Sequence, residues 1–228
     1  MNTLLPRIEI ETDPQPTAAV IWLHGLGADG NDFAAIVPEL DLGDCPPIRF
    51  VFPHAPSMPV TLNGGYIMPA WYDILGSDLV KRQDGAGIAQ SARAIAALIE
   101  FEAARGIPYR NIVLAGFSQG SAMALHTGLR LPQRLAGIMA LSGYLPLADT
   151  FAAERTPANA ATPIFMAHGS MDPVVIPARG EASRDLLAGL GYPVQWHSYP
   201  MEHSVHPREL ADISVFLASV LGQDSGAA

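Results

Sequence analysis

The chain has 228 residues, which fits one α/β domain, and its apolar share of 49% is ample for a buried core. Its formal net charge of −9 argues against nucleic-acid binding and against lasting attachment to an anionic membrane, because both need clustered Lys and Arg. Charged residues make up only 15%, so we expect either an unusually large core or some exposed apolar surface, as in an acyl-chain groove, a dimer face or a transient contact with lipid.

The cysteine content and the first residues bear on the compartment. Cys45 is the only cysteine, which excludes an internal disulfide and a cysteine-rich metal site. The first residues contain no apolar run of signal-peptide length, and no run approaches the roughly 20 residues that span a bilayer. We therefore expect a cytoplasmic protein.

Short apolar runs, rich in β-branched and aromatic residues, predict the strands of a sheet. Helical spacing of apolar residues runs through 87–105 and 207–221, and Gly106 and Gly222 follow where these helices should end. Strands and helices alternate, which predicts a single α/β domain with a mostly parallel central sheet flanked by helices. The predicted strands are 7–11, which is the weakest, 18–24, 48–53, 112–117, 137–141, 164–167 and 194–199.

Two stretches interrupt this alternation. Residues 55–87 are rich in Pro, Gly and Asn and too long for an ordinary connection, so we expect a functional excursion over the site. Residues 145–162 are predicted to hold one short helix. The domain is expected to span 1–222, with 223–228 as a frayed tail.

The strongest local motif is Gly116-Phe117-Ser118-Gln119-Gly120, which joins the predicted strand 112–117 to a helical pattern over 118–131. A serine on such a sharp strand-to-helix turn needs small neighbours, because the backbone is strained and flanking side chains would obstruct a substrate. The motif therefore predicts a nucleophile elbow with Ser118 as the nucleophile.

A serine nucleophile needs a base and a carboxylate that orients the base, and this kind of domain supplies them in the order Ser, acid, His. Asp172 follows a predicted strand directly and is the preferred acid. Asp149 lies near the start of a predicted short helix, where capping explains it. Asp185 lies beside Arg184 in a helical stretch, which is typical of a solvated face.

The preferred base is His203, which lies in a loop between the last predicted strand and the last predicted helix. His206 is its closest competitor, but it occupies the N-cap position before Pro207. His197 lies inside a strand and His168 precedes a glycine of the acid loop, and both positions are typical of packed or hydrogen-bonded histidines.

Acyl transfer also needs two backbone N–H groups directed at the developing oxyanion. Gln119 follows the nucleophile and Leu26 lies in the glycine-rich loop 24–30, so these two residues are the predicted donors. A phosphate-binding role for this loop is disfavoured, because Walker-type spacing and its Lys are absent. The seven histidines lack the paired spacings of zinc sites, so we expect no metal and no cofactor.

With these motifs in place, the chain resembles the phospholipase and carboxylesterase family, which includes acyl-protein thioesterases and small bacterial carboxylesterases. The likeness runs almost from end to end, and the glycine loop and the PAWYD segment are specific well beyond the serine pentapeptide. The segments that carry it are VIWLHGLGADGNDF at 20–33, FPHAPSMPVTLNGGYIMPAWYDI at 52–74, LAGFSQGSAMALH at 114–126, ALSGYLP at 140–146, HGSMDPVV at 168–175 and MEHSVHPREL at 201–210.

The resemblance implies the same catalytic residues as the order and setting along the chain. The implied triad is Ser118, Asp172 and His203, and the implied oxyanion hole is formed by Leu26 and Gln119. The family also implies an α/β-hydrolase fold without a large cap domain, and frequent homodimers.

A shallow acyl groove is implied as well, lying under a flap formed by 74–84. We expect Trp71, Leu75 and Leu79 to line this groove. Ser121 is a departure from the family, since many relatives carry a second glycine there, and it is expected to alter the start of the helix slightly.

The NGGY and PAWYD segments resemble the bacterial carboxylesterases more than the eukaryotic thioesterases. The expected activity is therefore hydrolysis of short- to medium-chain carboxylic esters through an acyl-enzyme. The alternative is an acyl-protein thioesterase or lysophospholipase acting on long acyl chains, and a remote alternative is a non-catalytic binding protein. The expected partner is a small-molecule ester or thioester, with no nucleic acid and at most transient membrane contact.

Overall fold

The computed structural model describes residues 4–76 and 81–222. Most strands within these ranges join one sheet, in the order β1-β3-β2-β6-β7-β8-β9, and β4 and β5 pair as a separate antiparallel hairpin. The strands are β1 (Arg7–Glu11), β2 (Ala18–Leu23), β3 (Ile48–Pro53), β4 (Ser57–Val60), β5 (Tyr66–Pro69), β6 (Ile112–Phe117), β7 (Gly137–Leu141), β8 (Ile164–Gly169) and β9 (Val194–Tyr199).

The helices of the same ranges follow the strands in alternation. Most of them connect parallel strands, as crossover helices do. They are α1 (Asn31–Ala34), α2 (Gly85–Ala104), α3 (Gln119–Gly128), α4 (Ala148–Glu154), α5 (Pro177–Gly189) and α6 (Pro207–Leu221).

The central sheet is parallel except at one edge, where β1 pairs antiparallel with β3. The strands β2, β3, β7 and β8 are buried along their whole length. A parallel sheet covered on both faces needs continuous apolar runs, which explains why these strands are recognisable in the sequence.

Two apolar clusters cover the two faces of this sheet. Alternate residues of β2 enter different clusters, because successive side chains of a strand point to opposite faces. Ile95 of α2, Met123 of α3 and Leu187 of α5 pack in one cluster. Phe33 of α1 and Phe216 of α6 pack in the other, so the domain has three layers.

Every predicted strand is present, with shifts of one or two residues at the ends of β2 and β8. The predicted helix 87–105 begins earlier, at Gly85, because Asp84 accepts a hydrogen bond from the Gly87 N–H and caps the first turn. Gly106 follows its end with φ at +99°, a conformation that favours glycine. The helix after Ser118 ends at Gly128, three residues short of the predicted end.

The two interrupting stretches differ from the expectation in detail. The first contains the hairpin of β4 and β5, whose short, mostly exposed strands carry no buried apolar run. The stretch 145–162 holds α4, as predicted, and also a 3₁₀ turn at Pro157–Asn159. The predicted tail 223–228 lies outside the described residues. Within 4–76 and 81–222, no helix has both the length and the apolar character that crossing a bilayer needs.

Candidate active site

Ser118 lies between β6 and α3, with φ at 54° and ψ at −116°. This backbone is rare for a residue with a side chain, and it is held by the Ser118 N–H, which donates to the Leu141 carbonyl at 2.8 Å. A Cβ at Gly116 would lie 2.2 Å from the Gly120 backbone, and one at Gly120 would lie 2.2 Å from the Leu23 carbonyl oxygen. The glycines are therefore required by close backbone packing around the elbow.

Asp172 follows β8 and is almost completely buried. Its Oδ1 accepts the backbone N–H groups of Val174 at 2.8 Å and Val175 at 2.9 Å, and its Oδ2 lies 2.6 Å from His203 Nδ1. The two backbone bonds fix the carboxylate, so a protonated Nδ1 of His203 donates to it. The other ring nitrogen, Nε2, is then left to accept a proton.

Ser118 and His203 line the same cavity. The loop after β9 carries His203, and its ring packs on Phe117 with a centroid distance of 4.8 Å. The structure thus brings together the three residues predicted from their order in the chain, with Asp172 bonded to the imidazole from the side opposite its free nitrogen.

The competing histidines have structural contacts instead. His168 is buried, and its Nε2 lies 2.7 Å from the Val175 carbonyl oxygen. His206 caps α6, since its Nδ1 accepts the N–H of Arg208 at 3.1 Å. His197 lies in β9, 3.5 Å from Asp212.

The competing acids lie on the surface. Asp149 is exposed in the first turn of α4, where the cap residue is Leu147, so its predicted capping bond is not formed. Asp185 is 68% exposed at its side chain and pairs with Arg184, which fits the solvated face expected for it.

Leu26 and Gln119 also line the cavity. Near Leu26, the Gly27 N–H donates to Pro69 at 2.9 Å and the Ala28 N–H donates to Gly25 at 3.3 Å. The backbone N–H groups of Leu26 and Gln119, by contrast, donate to no acceptor within the described part of the chain. Both are therefore available to a carbonyl oxygen held beside Ser118.

The cavity has a volume of about 580 Å³ and is mostly apolar, within the range of small-molecule sites. Many of its apolar lining residues come from the loop after the acid and from the excursion before α2. They are Leu62, Ile74, Val174, Val175 and Ile176.

The predicted groove residues do not form this lining. Trp71 is wrong as a groove residue, because its side chain is completely buried beneath the site and is absent from the cavity wall. Leu75 is half-buried and also lies away from the lining, whereas its neighbour Ile74 belongs to it. Leu79 lies outside the described residues, as does the middle of the predicted flap 74–84.

A pair of tyrosines also lines the cavity. The hydroxyls of Tyr72 and Tyr144 are 3.0 Å apart, and both side chains are almost fully buried. Burial raises the pKa of both phenols, so both stay neutral and each can donate one hydrogen bond.

The side chain of Gln119 was not predicted to have a role of its own. Its Oε1 accepts the Trp71 N–H at 2.8 Å and its Nε2 donates to the Tyr72 carbonyl at 2.7 Å. The amide thus ties the elbow to the excursion. The sequence did contain a hint of this role, because Gln119 is a long polar side chain next to Ser118 in an apolar segment. A buried amide in such a place needs hydrogen-bond partners.

His24 braces the glycine loop from inside. It accepts the Ala55 N–H at its Nε2, at 3.0 Å, so its Nδ1 carries the proton and donates to the Gly25 carbonyl at 2.7 Å. Burial lowers the pKa of this imidazole, which keeps it neutral.

Comparison with known proteins places this site in a family. The model of the phospholipase/carboxylesterase family matches residues 6–221. Acyl-protein thioesterase 1 of Gibberella zeae is 44% identical over 91% of this chain and 92% of its own. The solved structure of Zea mays acyl-protein thioesterase 2 has a TM-score of 0.83 at 31% identity, covering 95% of this chain and 99% of that one. Esterase PE8 has a TM-score of 0.77 at 30% identity, covering 96% and 99%. The chain therefore belongs to the phospholipase/carboxylesterase family and has the α/β-hydrolase fold.

Proposed function

We propose that this protein hydrolyses long-chain acyl thioesters, and the corresponding esters, through an acyl-enzyme on Ser118. The observation that carries the proposal is the 2.6 Å bond between Asp172 and His203, with His203 and Ser118 lining one cavity. That arrangement is the one a serine nucleophile needs, since the hydroxyl is too weak without an oriented base.

The cycle uses groups already in place. His203 Nε2 takes the hydroxyl proton while Ser118 Oγ bonds to the acyl carbon, and the N–H groups of Leu26 and Gln119 hold the oxyanion. The imidazolium then protonates the leaving thiol or alcohol. Water, deprotonated by His203, attacks the acyl-enzyme and releases the acid and the free serine. Asp172 stabilises the imidazolium in both halves.

The substrate class follows from the relatives and the cavity. The relatives reported for this chain support an acyl-protein thioesterase better than the short-chain carboxylesterase expected from the NGGY and PAWYD segments. The mostly apolar cavity of about 580 Å³ also supports a long acyl chain. Lysophospholipid esters carry the same acyl chain and fall within this proposal.

The test compares Ser118→Ala with Ser121→Ala on a palmitoylated cysteine peptide and on p-nitrophenyl esters from acetate to palmitate. Ser121 is a matched control, because it is a buried serine three positions away whose Oγ has no partner within the described residues. We expect Ser118→Ala to lose turnover and fluorophosphonate labelling, and Ser121→Ala to keep both. Absence of turnover in the intact protein would support the binding-protein alternative instead.

A short- to medium-chain carboxylesterase is the second candidate, favoured by the likeness to esterase PE8. It predicts the highest kcat/KM on butyrate to octanoate, and little hydrolysis of the palmitoylated peptide. The thioesterase proposal predicts the reverse order on the same panel.

Assembly and location stay predictions. Exposed apolar side chains near the cavity mouth, namely Leu62, Val174 and Ile176, fit a homodimer face or transient lipid contact. Sedimentation of the purified chain across a concentration series tests the dimer, and fractionation of cells tests the expected cytoplasmic location.

A further inference from the structure

Trp71 is a large side chain with no access to the cavity. It follows β5 and is completely buried, with its ring 5.2 Å from the ring of His24. A side chain that only fills the core needs no hydrogen bonds. In Trp71, however, the backbone N–H, the backbone carbonyl and the indole N–H each form a hydrogen bond. These hydrogen bonds connect Trp71 to the nucleophile elbow and to the glycine loop.

One side is the nucleophile elbow. The Trp71 N–H donates to the side chain of Gln119 at 2.8 Å, and the hydroxyl of Ser91 in α2 donates to the Trp71 carbonyl. The same Gln119 amide donates to the Tyr72 carbonyl at 2.7 Å. The backbone at 71 is therefore fixed to the residue whose own N–H faces the oxyanion.

The other side is the glycine loop. The indole Nε1–H of Trp71 donates to the His24 carbonyl at 2.9 Å. Two residues before Trp71, the carbonyl of Pro69 accepts the Gly27 N–H at 2.9 Å. The same short segment thus holds the glycine loop on both sides of Leu26, whose N–H donates to no acceptor within the described residues.

We propose that Trp71 is a positioning residue that sets the separation between the two oxyanion donors, Leu26 and Gln119. Its backbone is bonded to the side chain of one donor residue, and its indole is bonded to the loop of the other. The inference rests on the proposed function, because an oxyanion arises only when Ser118 attacks an acyl carbon.

The physical reason is preorganisation. Oxyanion donors act strongly because they are already directed at the place where charge develops, and their effect falls when they are displaced. A misplacement of about 1 Å can lower a rate about a hundredfold. Losing the indole N–H frees the His24 carbonyl and lets the loop of Leu26 drift, while the acyl-binding wall, to which the Trp71 side chain does not contribute, keeps its lining residues.

The test measures kcat, KM and inhibition by an alkyl trifluoromethyl ketone for Trp71→Phe. Such a ketone adds to a serine nucleophile and places a charged oxygen in the hole, as a transition state does. We expect kcat on p-nitrophenyl octanoate to fall roughly tenfold to a hundredfold, with inhibition weakened by a similar factor and KM within about twofold. A decrease in kcat and in the strength of ketone inhibition, without a change in KM, is the result expected when the oxyanion donors are displaced.

Trp22→Phe is the matched control. Trp22 is also buried, but its Nε1 has no partner within the described residues, so the variant loses the same ring volume without a hydrogen bond. We expect it to keep kcat and ketone inhibition within about twofold, since its indole N–H makes no bond to the loops that carry the two donors within the described residues. Thermal unfolding of both variants shows whether packing losses are comparable.

Three outcomes contradict the inference while leaving the proposed function standing, provided that Ser118→Ala abolishes turnover. They are an unchanged kcat and KM in Trp71→Phe, an equal loss of kcat in Trp22→Phe, and an unchanged kcat with a raised KM in Trp71→Phe, which would return Trp71 to groove binding. If Trp71→Phe fails to fold, 3-benzothienylalanine at position 71 keeps the ring shape and replaces the N–H by sulfur. That protein should show the same kcat loss, and wild-type kcat in it would overturn the inference.

Discussion

The buried layer beneath Ser118, here called the floor, differs in construction from the mouth of the cavity, which is formed by Leu62, Val174 and Ile176. Beneath Ser118, polar groups such as the Gln119 amide, the Trp71 indole and the Asp172 carboxylate are buried and each has a partner at hydrogen-bond distance. At the mouth, Val174 is 60% exposed and Ile176 is 48% exposed, and they offer only apolar surface.

This difference suggests that the floor determines the rate of the chemical step, whereas the mouth determines which acyl chains are bound. Buried, fully bonded groups hold one geometry, because a lost bond leaves a polar atom without water or partner. Exposed apolar side chains bind by area, which is non-directional and tolerates substrates of different shape. Changes to the floor should therefore alter kcat on every substrate, whereas changes to the mouth should alter discrimination among acyl chains.

Among the changes that compare the floor with the mouth, the largest effect is expected from Asp172→Asn. The amide oxygen can still accept from the loop backbone, but the amide nitrogen donates to His203 Nδ1 and leaves the proton on the wrong ring nitrogen. We expect kcat to fall about ten-thousandfold at neutral pH on thioester and ester alike. Asp185→Asn, which removes an exposed carboxylate of α5, should keep wild-type kcat. A loss of only a few-fold in Asp172→Asn would remove Asp172 from the mechanism.

Ile176→Ser is expected to act on chain length alone. Ile176 lines the mouth and is the N-cap residue of α5, where serine is a better cap than isoleucine, so the fold should not suffer. Losing one large apolar contact should lower kcat/KM for palmitate about tenfold, and that for acetate less than twofold. The control is Val215→Ser, an exposed apolar residue of α6 away from the cavity. Equal losses on acetate and palmitate would show that the mouth does not select the chain.

The proposed catalytic residues could be selected from the sequence because each depends on local context. Ser118 directly follows a buried strand within a glycine motif, Asp172 lies in the loop after another strand, and His203 lies in the loop before the last helix. Parallel strands bring their carboxyl ends to one edge, so local placement was enough to bring the three together.

The supporting contacts could not be predicted in the same way. Trp71 bonds to residues 47 and 48 positions away, and nothing near it in the sequence names His24 or Gln119 as partners. An aromatic residue within a Pro- and Gly-rich excursion is equally compatible with a groove wall and with a buried support. The hairpin of β4 and β5 was missed because its strands are short and mostly exposed, so they carry no apolar run.

The smallest effect tests the tyrosine pair in the cavity wall. Tyr72→Phe leaves the Tyr144 hydroxyl without its partner at 3.0 Å, and it should lower the free energy of unfolding by about 1–2 kcal/mol. Adding Tyr144→Phe removes the stranded hydroxyl, so the double variant should recover most of that loss. Tyr192→Phe serves as control, because its buried hydroxyl has no partner within the described residues and its removal should be nearly neutral. Urea unfolding of the wild type, of Tyr72→Phe and Tyr144→Phe alone and of the double variant gives the coupling energy, and additive losses at 72 and 144 would show that the two phenols are independent.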